Sequence, residues 1–200
     1  MEQLAQGERS VEVLAERTGL SIANASQHLQ QIRRVGIEIR RVGIAAARRE
    51  GKFVFYKLAD EAVLDLLAAL RRIAERNVAE VDKVIRSYFN NRDGLEPVSR
   101  EELLAKSRAG TVTVLDVRPS DEFALGHLPG AVNMSLRELE ARLAEFDPAQ
   151  EIVAYCRGPY CVLSYEVVAA LRARGFKARR LEDGLPEWRA AGLPVVGRTT

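Results

Sequence analysis

Two cysteines five residues apart flank the segment of this chain with the clearest potential for chemistry. Cys156 and Cys161 enclose Arg-Gly-Pro-Tyr, after an apolar strand pattern and before a helical pattern. Backbone amides at the start of a helix carry partial positive charge, which favours a thiolate and lowers a cysteine pKa below its usual value of about 8.5. The spacing therefore predicts a nucleophile at Cys156, and this chemistry requires no metal or organic cofactor.

Three other segments accompany this loop. They are Asp116-Val-Arg118 at the end of a predicted strand, Glu122 to Ala131 with its Gly-His127-Leu-Pro-Gly turn, and Leu181 to Trp188. With Cys156 they resemble the rhodanese family across residues 98–196, in the family's order and at about its spacing. The resemblance implies that Cys156 attacks the outer sulfur of a donor such as thiosulfate and becomes a persulfide. The sulfur would then pass to an acceptor thiol or cyanide.

The loop residues are expected to support this cycle. An anionic donor approaching an anionic thiolate needs a local cation and amide donors, and Arg157 is the predicted cation. Backbone amides of the loop are expected to hold the persulfide. The predicted loop comprises Arg157, Gly158, Pro159, Tyr160 and Cys161.

Cys161 stands where many rhodanese relatives have an arginine. It is either a small buried residue that opens the next helix, or a resolving thiol that takes the sulfur or closes a disulfide with Cys156. The missing arginine argues against a cysteine phosphatase, which clamps phosphate with arginine at the end of a longer loop. Asp116 and Arg118 are expected to support the fold, His127 to hydrogen-bond within its turn, and Trp188 to lie in the core.

Strand and helix patterns alternate from residue 98 onward. Strands are predicted at Val112–Val117 and Ile152–Tyr155, with helices starting near Ser99, Leu136 and Leu163. Strands that alternate with helices predict a parallel α/β sheet.

The N-terminal residues show a different order of elements. Apolar residues recur at helical spacing before and after a break at residues 18–21. Gly19 is predicted to end the first helix in a left-handed conformation, and Ser21 to cap the second. Glu50-Gly51-Lys52 supplies the turn of a predicted β-hairpin. This order predicts a winged helix-turn-helix, whose second helix enters the major groove of DNA.

Polar and basic residues cluster on these elements. Asn and Gln pair with adenine edges, whereas Arg and Lys contact phosphates. Residues 33–57 carry a basic excess, whereas acidic and basic residues balance over residues 98–200. The predicted DNA-binding residues are Ser21, Asn24, Ser26, Gln27, Gln30, Arg33, Arg34, Arg48, Arg49 and Lys52.

The run Gln6-Gly-Glu-Arg-Ser-Val-Glu-Val-Leu-Ala-Glu-Arg-Thr-Gly-Leu-Ser, continuing to Gly36, is similar to the ArsR-type bacterial repressors. The match covers about residues 3–80. It implies double-stranded DNA as a partner and a homodimer. The predicted recognition helix has no cysteine, so the thiolate metal site of some relatives is not expected. The alternative is a helical interaction module with a solvated basic face.

Ile32-Arg-Arg-Val-Gly-Ile37 recurs letter for letter at residues 39–44. The repeat either extends the second helix, which Gly36 and Gly43 disfavour, or forms a looped-out or lengthened wing. Asp60 is the predicted N-cap of a long helix that runs to about Phe89 and suits a dimer.

Composition and these patterns define the overall prediction. The 47% apolar content allows two cores. No segment approaches the roughly 20 apolar residues of a membrane span and no signal peptide is evident, so a cytoplasmic protein without a membrane partner is expected. Residues 1–89 are predicted to form an all-α winged helix-turn-helix with a β-hairpin wing, 90–97 a linker, and 98–200 an α/β rhodanese-like domain with a parallel sheet.

The predicted function is that of a DNA-binding transcriptional regulator whose second domain transfers or senses sulfane sulfur on Cys156. Its partners would be DNA, a sulfur donor and a thiol acceptor. The alternative is a sulfurtransferase whose N-terminal domain only dimerises or docks a partner.

Overall fold

The computed structural model describes residues 1–38, 43–77 and 97–197. The chain divides into two compact units, Met1–Leu67 and Ala68–Thr200. The predicted linker at 90–97 lies outside the described residues except for Pro97, as do residues 78–89 of the predicted long helix. Among the described helices, none is long and apolar enough to cross a lipid bilayer.

The first unit combines helices with a small antiparallel sheet. Its strands pair in the order β1-β3-β2. An all-α domain with only a hairpin was the expectation, and it missed β1, because two residues are too few to show an alternating pattern. The elements are α1 (Glu2–Ala5), β1 (Arg9–Ser10), α2 (Val11–Thr18), α3 (Ile22–Glu38), β2 (Ala45–Glu50), β3 (Phe53–Leu58) and α4 (Ala62–Asn77), which continues into the second unit.

Local capping and turn signals in this unit are confirmed. Gly19 ends α2 with φ of 68°, a left-handed conformation that glycine adopts without a steric penalty. The Ser21 hydroxyl accepts a hydrogen bond from the Asn24 amide at 3.2 Å, and the Asp60 carboxylate accepts one from the Ala62 amide at 2.8 Å. The turn between β2 and β3 contains Gly51, with φ of 57°.

Helix α3 contains the first copy of the repeated segment. It packs on the core through the buried residues Ala25 and Leu29, which lie four positions apart and therefore on one face. The helix continues to Glu38, so Gly36, the glycine of the first copy, does not end it. Most of the second copy lies outside the described residues.

The second unit is a parallel α/β domain, as predicted. Its four strands pair in the order β5-β4-β6-β7, and every pairing is parallel. The elements are α5 (Arg100–Arg108), β4 (Val112–Asp116), α6 (Ser120–Leu125), β5 (Val132–Asn133), α7 (Leu136–Arg142), a 3₁₀ turn (Leu143–Glu145), β6 (Glu151–Tyr155), α8 (Val162–Arg172), β7 (Ala178–Arg180) and α9 (Leu185–Ala190).

The two central strands, β4 and β6, place the functional residues. Both faces of the sheet are covered, one by a cluster that includes Leu115 and Ile152 and the other by a cluster that includes Val114 and Val153. Strands buried on both faces are mainly apolar, as these are, apart from Thr113 and Asp116 in β4 and Glu151 in β6. Asp116 pairs with Tyr155 at the carboxyl ends of the strands, and ligands bind parallel α/β sheets at that edge.

Candidate active site

Cys156 lies directly after β6, at the carboxyl edge of the sheet. Its side chain is packed in the core and only 1% of the residue is exposed. The loop that follows is short, and Cys161 is the N-cap residue of α8. Within the loop, the Cys161 amide donates to the Gly158 carbonyl at 3.1 Å. This turn reverses the chain and brings the two ends of the loop together.

Cys156 and Cys161 are joined by a disulfide, with their Cα atoms 6.1 Å apart. This separation is within the range of native disulfides. Cys161 is half-buried, packs against the core and opens α8, which are features of the small buried residue. It is also paired with Cys156, as the alternative of a resolving thiol expects.

The loop offers fewer amides than the sequence suggested. The Cys161 amide is engaged by the Gly158 carbonyl, and Pro159 has no amide hydrogen. These two positions therefore do not contribute an amide donor to an anionic sulfur.

Arg157 is held by a buried carboxylate. Its Nε and Nη2 atoms donate to the Glu122 side chain at 2.9 and 2.8 Å, and Glu122 is fully buried. A bidentate ion pair of this kind fixes the guanidinium and offsets its charge. Arg157 is therefore a weaker electrostatic partner for an incoming anion than the sequence suggested. The sequence did not reveal the role of Glu122, because its partner is 35 residues away.

Asp116 and Arg118 form a buried ion pair beneath the loop. Both side chains have no exposed surface, and the Arg118 Nη2 to Asp116 Oδ2 distance is 2.6 Å. Arg118 also donates to the Gly126 carbonyl at 2.7 Å. The Tyr155 hydroxyl donates to Asp116 and accepts from the Leu128 amide at 3.0 Å. These contacts are of the kind expected if Asp116 and Arg118 support the fold.

Burial and charge shift the pKa values in this network. Burial would lower the pKa of Arg118, but the hydrogen bond and charge of Asp116 outweigh it and raise that pKa. The pKa of Tyr155 is raised by burial and by the neighbouring Asp116 carboxylate. Arg118 thus stays protonated and Tyr155 stays neutral through the neutral range, as a rigid support requires.

Helix α9 closes over the loop at a glycine. A Cβ atom on Gly184 would lie 2.2 Å from the Gly158 nitrogen and 2.5 Å from the Arg157 carbonyl carbon. The Leu185 amide donates to the Cys156 carbonyl at 3.2 Å. Only a residue without a side chain allows the two backbones to approach this closely. Gly184 lies in the segment Leu181 to Trp188 that resembles the rhodanese family, but no sequence signal indicates this contact.

A further cation near the loop was not predicted. Arg71, which belongs to the second unit, ion-pairs with Glu187 at 2.5 Å. Its Nη1 atom would lie 3.6 Å from a Cβ on Gly158. No local pattern connects Arg71 with a loop more than 80 positions later.

His127 and Trp188 have structural surroundings. The His127 ring stacks on Phe123, with centroids 3.7 Å apart, and its Nδ1 atom lies 3.0 Å from the Phe123 carbonyl oxygen. This contact lies outside the Gly-His-Leu-Pro-Gly turn, within which the hydrogen bond was predicted. Trp188 is buried, as expected for a core residue, and its Nε1 donates to the Pro194 carbonyl at 2.9 Å.

In the first unit, the predicted DNA-binding residues lie on the surface. Ala25 and Leu29 face the core, and the exposed side of α3 is polar apart from Ile22 at its start. Ser26 is half-buried, and the Gln30 side chain donates to its hydroxyl at 3.3 Å. The exposed members of the set are Ser21, Asn24, Gln27, Gln30, Arg33, Arg34, Arg48, Arg49 and Lys52.

One of these basic residues is already neutralised. Arg48 on β2 pairs with Glu8 at 2.6 Å and with Glu50 at 2.5 Å. Hydrogen bonds to these two carboxylates raise the pKa of Arg48. Its guanidinium also lies over the Phe55 ring. Arg48 is thus a weaker candidate for a phosphate contact than Arg33 or Arg34.

Within the described ranges, no group of three or more His, Cys, Asp or Glu residues is arranged to hold a metal ion.

Comparison with known proteins agrees with these two units. The sequence-family model named rhodanese-like domain matches residues 99–191. The HTH-type transcriptional regulator Rv0324 of Mycobacterium tuberculosis is 41% identical over 98% of this chain and 82% of its own length. A protein named sulfurtransferase from Allochromatium vinosum is 32% identical over 48% of this chain and 90% of its own. A solved Lactobacillus plantarum protein has a TM-score of 0.48 at 26% identity, covering 58% of this chain and 97% of its own.

The second unit is a rhodanese-like domain, because the family model covers its sheet, the cysteine loop and α9. The whole chain belongs to a family of HTH-type transcriptional regulators that carry this domain, since its match to the Mycobacterium tuberculosis regulator spans nearly its full length.

Proposed function

We propose that this protein is a DNA-binding regulator of the ArsR type whose rhodanese-like domain takes up sulfane sulfur as a persulfide on Cys156. The observation that carries the proposal is the position of Cys156, between the end of β6 and the start of α8. Sulfur donors are anionic, and the N-terminus of a helix favours an anion. Binding to chromosomal DNA would place the protein in the cytoplasm.

The support for the sulfur chemistry is local. Reduction of the Cys156–Cys161 disulfide yields two thiols. Of these, Cys156 has the fixed surroundings of a nucleophile, since the Leu185 amide anchors its carbonyl and the core surrounds its side chain. A polysulfide or thiosulfate would transfer its outer sulfur to the Cys156 thiolate.

Intact-mass spectrometry tests this step. The protein is first reduced, freed of reductant and then exposed briefly to thiosulfate or inorganic polysulfide, beside the Cys161→Ser and Cys156→Ser variants. We expect Cys161→Ser to gain one sulfur atom and Cys156→Ser to gain none, because only the Cys156 thiolate accepts sulfur. A sulfur adduct on Cys156→Ser, or no adduct on any form with either donor, would contradict the proposal.

The DNA-binding half rests on the first unit. Its two helices α2 and α3 are joined by a tight turn, and a hairpin follows them, which is the order of a winged helix-turn-helix. The exposed side of α3 carries Asn24 and Gln27 near its start and Arg33 and Arg34 further along. Amide side chains suit base edges, and arginines suit phosphates. A homodimer would present two such helices to the half-sites of an operator.

A salt titration on the promoter region of the protein's own gene tests this half. Replacing Arg33 and Arg34 together by alanine is expected to weaken binding and to reduce the salt slope by about 1 for each lost phosphate contact. Arg48→Ala is the matched control. Its charge is offset by Glu8 and Glu50, so a smaller change is expected. Equal slopes for all three proteins would contradict the proposed interface.

The two halves are proposed to be coupled. A persulfide on Cys156 would change operator affinity, since ligand binding at one site can bias binding at another. Equal operator affinity with and without a sulfur donor would contradict this coupling.

A second candidate is a sulfurtransferase whose first unit only dimerises or docks a partner. It is favoured by the likeness to proteins named as sulfurtransferases. Complete absence of DNA binding at low salt, together with catalytic sulfur turnover, would support this candidate over the regulator.

A further inference from the structure

We propose that Cys161 discharges the Cys156 persulfide by forming the Cys156–Cys161 disulfide and releasing the outer sulfur as hydrogen sulfide. This inference rests on the proposed uptake of sulfur at Cys156 and adds the step that follows it. In this scheme the persulfide is short-lived, and the lasting product of sulfur uptake is the Cys156–Cys161 disulfide.

The geometry of the loop supports an internal reaction. The two cysteines are bonded in the structure, with a Cα separation of 6.1 Å. The turn closed by Gly158 and Cys161 holds the two ends of the loop together. Cys161 is fixed in its turn, because its carbonyl accepts from the Ser164 hydroxyl at 2.9 Å and also from the Ser164 amide. No domain movement or partner molecule is needed for the two sulfurs to meet.

The burial of Cys156 favours this route over transfer to a free thiol. Only 1% of Cys156 is exposed, so an external acceptor must enter the loop before it can react. The Cys161 sulfur is already within bonding reach, and a well-oriented internal group behaves as if present at a very high effective concentration. Cys161 is therefore expected to react before small thiols do.

The step balances without an added oxidant. The Cys161 thiolate attacks the Cys156 Sγ atom, and the bond between Sγ and the outer sulfur breaks. The outer sulfur leaves with the electron pair as hydrosulfide, and the proton released by Cys161 completes hydrogen sulfide. With thiosulfate as donor, one thiosulfate and two thiols yield one sulfite, one hydrogen sulfide and one disulfide. A thiol reductant of the cell would then restore the two thiols.

The replacement of an arginine by Cys161 fits this role. An arginine at the end of the loop would bind an anionic donor or persulfide and prolong its lifetime. A thiol at that position removes the cation and introduces a nucleophile. A thiol in place of the arginine therefore suits a site whose persulfide is removed by an internal reaction.

The test measures what becomes of one equivalent of sulfur added to the full-length protein. Reduced wild type, Cys161→Ser and Cys161→Ala are mixed with one equivalent of inorganic polysulfide sulfur in the absence of oxygen. Free thiols are then blocked with an alkylating agent, and intact mass and released sulfide are measured together. Wild type without polysulfide is the control for adventitious oxidation, and it is expected to keep both thiols.

Wild type is expected to lose both alkylatable thiols, gain no sulfur and release about one sulfide per chain more than the Cys161 variants, in which the only sulfide comes from the polysulfide donor itself. Both Cys161 variants are expected to hold the extra sulfur at Cys156, with a persulfide lifetime longer by about tenfold or more. Thermal unfolding of the two variants, compared with reduced wild type, shows that each is folded.

The outcomes separate this inference from the proposed function. A stable persulfide on wild type, with no more sulfide released than by the Cys161 variants, would overturn the role of Cys161 and leave Cys156 as the sulfur carrier. Loss of the persulfide at the same rate in wild type and variants would also overturn it. Failure of every form to take up sulfur would remove the proposed function as well.

Discussion

Asp116→Asn is expected to lower the free energy of unfolding of the second unit by about 3–5 kcal/mol. The substitution leaves the Arg118 guanidinium fully buried without a carboxylate partner. It also leaves one side-chain oxygen where the carboxylate had two, so the Tyr155 hydroxyl and the Arg118 guanidinium compete for a single acceptor. A buried charge that has lost its counter-charge is more costly than the pair was worth, because it cannot recover hydration. The unfolding midpoint of this unit is expected to fall by about 10–20 °C.

Tryptophan fluorescence during heating measures this effect in one unit alone. Trp188 is the single tryptophan of the chain and is buried in the rhodanese-like domain. It therefore reports the unfolding of that domain even when the other unit melts at a different temperature.

Asp183→Asn is the matched control. Burial raises the pKa of the Asp183 carboxyl, although the charge of Arg100 opposes this shift. A raised folded-state pKa means that the contribution of Asp183 to stability grows as pH falls through that pKa and is smallest above it. Asp183 also ion-pairs with the partly exposed Arg100 at 2.7 Å, and a pair of that kind contributes at most about 1 kcal/mol. Because Asp183→Asn also removes a charge that burial disfavours, little loss of stability is expected. Equal midpoint shifts for the two variants would contradict the importance of the buried pair.

Tyr155→Phe is expected to have an intermediate effect. It removes one hydroxyl, which leaves the Leu128 amide without that acceptor. An unsatisfied buried donor costs about 1–3 kcal/mol. The same fluorescence measurement should therefore place this variant between wild type and Asp116→Asn. A midpoint at or below that of Asp116→Asn would show that the hydroxyl, and not the ion pair, supports the loop.

The sequence predicted the features whose causes are local. Gly19 and Ser21 mark the turn between α2 and α3, because a left-handed conformation and a helix cap each require particular residue types. The position of Cys156 followed from an apolar strand, a short polar loop and a helical pattern. Each of these signals lies within a few residues of the feature that it predicts.

The features that the sequence did not predict are contacts between distant segments. Glu122 holds Arg157 from 35 positions away, and Glu8 neutralises Arg48 from 40 positions away. An arginine in a basic or catalytic segment has the same local pattern whether or not a carboxylate meets it in the fold. The positive charge that Arg157 and Arg48 offer to a ligand is therefore smaller than the sequence alone indicates.

The junction of α9 with the cysteine loop provides the largest expected effect on sulfur chemistry. Gly184→Ala places a methyl group 2.2 Å from the Gly158 nitrogen and 2.5 Å from the Gly158 Cα atom. These are backbone atoms, so no side-chain rotation relieves the overlap. The loop or α9 must move by about 1 Å, and a displacement of that size lowers the rate of an oriented reaction by about 100-fold. Persulfide formation on Cys156 is expected to slow accordingly.

The rate of sulfur gain by the reduced protein, followed by intact mass, measures this effect. Gly192→Ala is the matched control, since Gly192 has φ of 68° and no described atom lies within 4 Å of an added Cβ. It carries the backbone cost of a left-handed alanine, about 1 kcal/mol, without touching the loop. If both variants retained their wild-type rate, the close approach of Gly184 would not position the loop. If both lost stability and rate together, the effect would arise from the folding of the domain and not from Cys156.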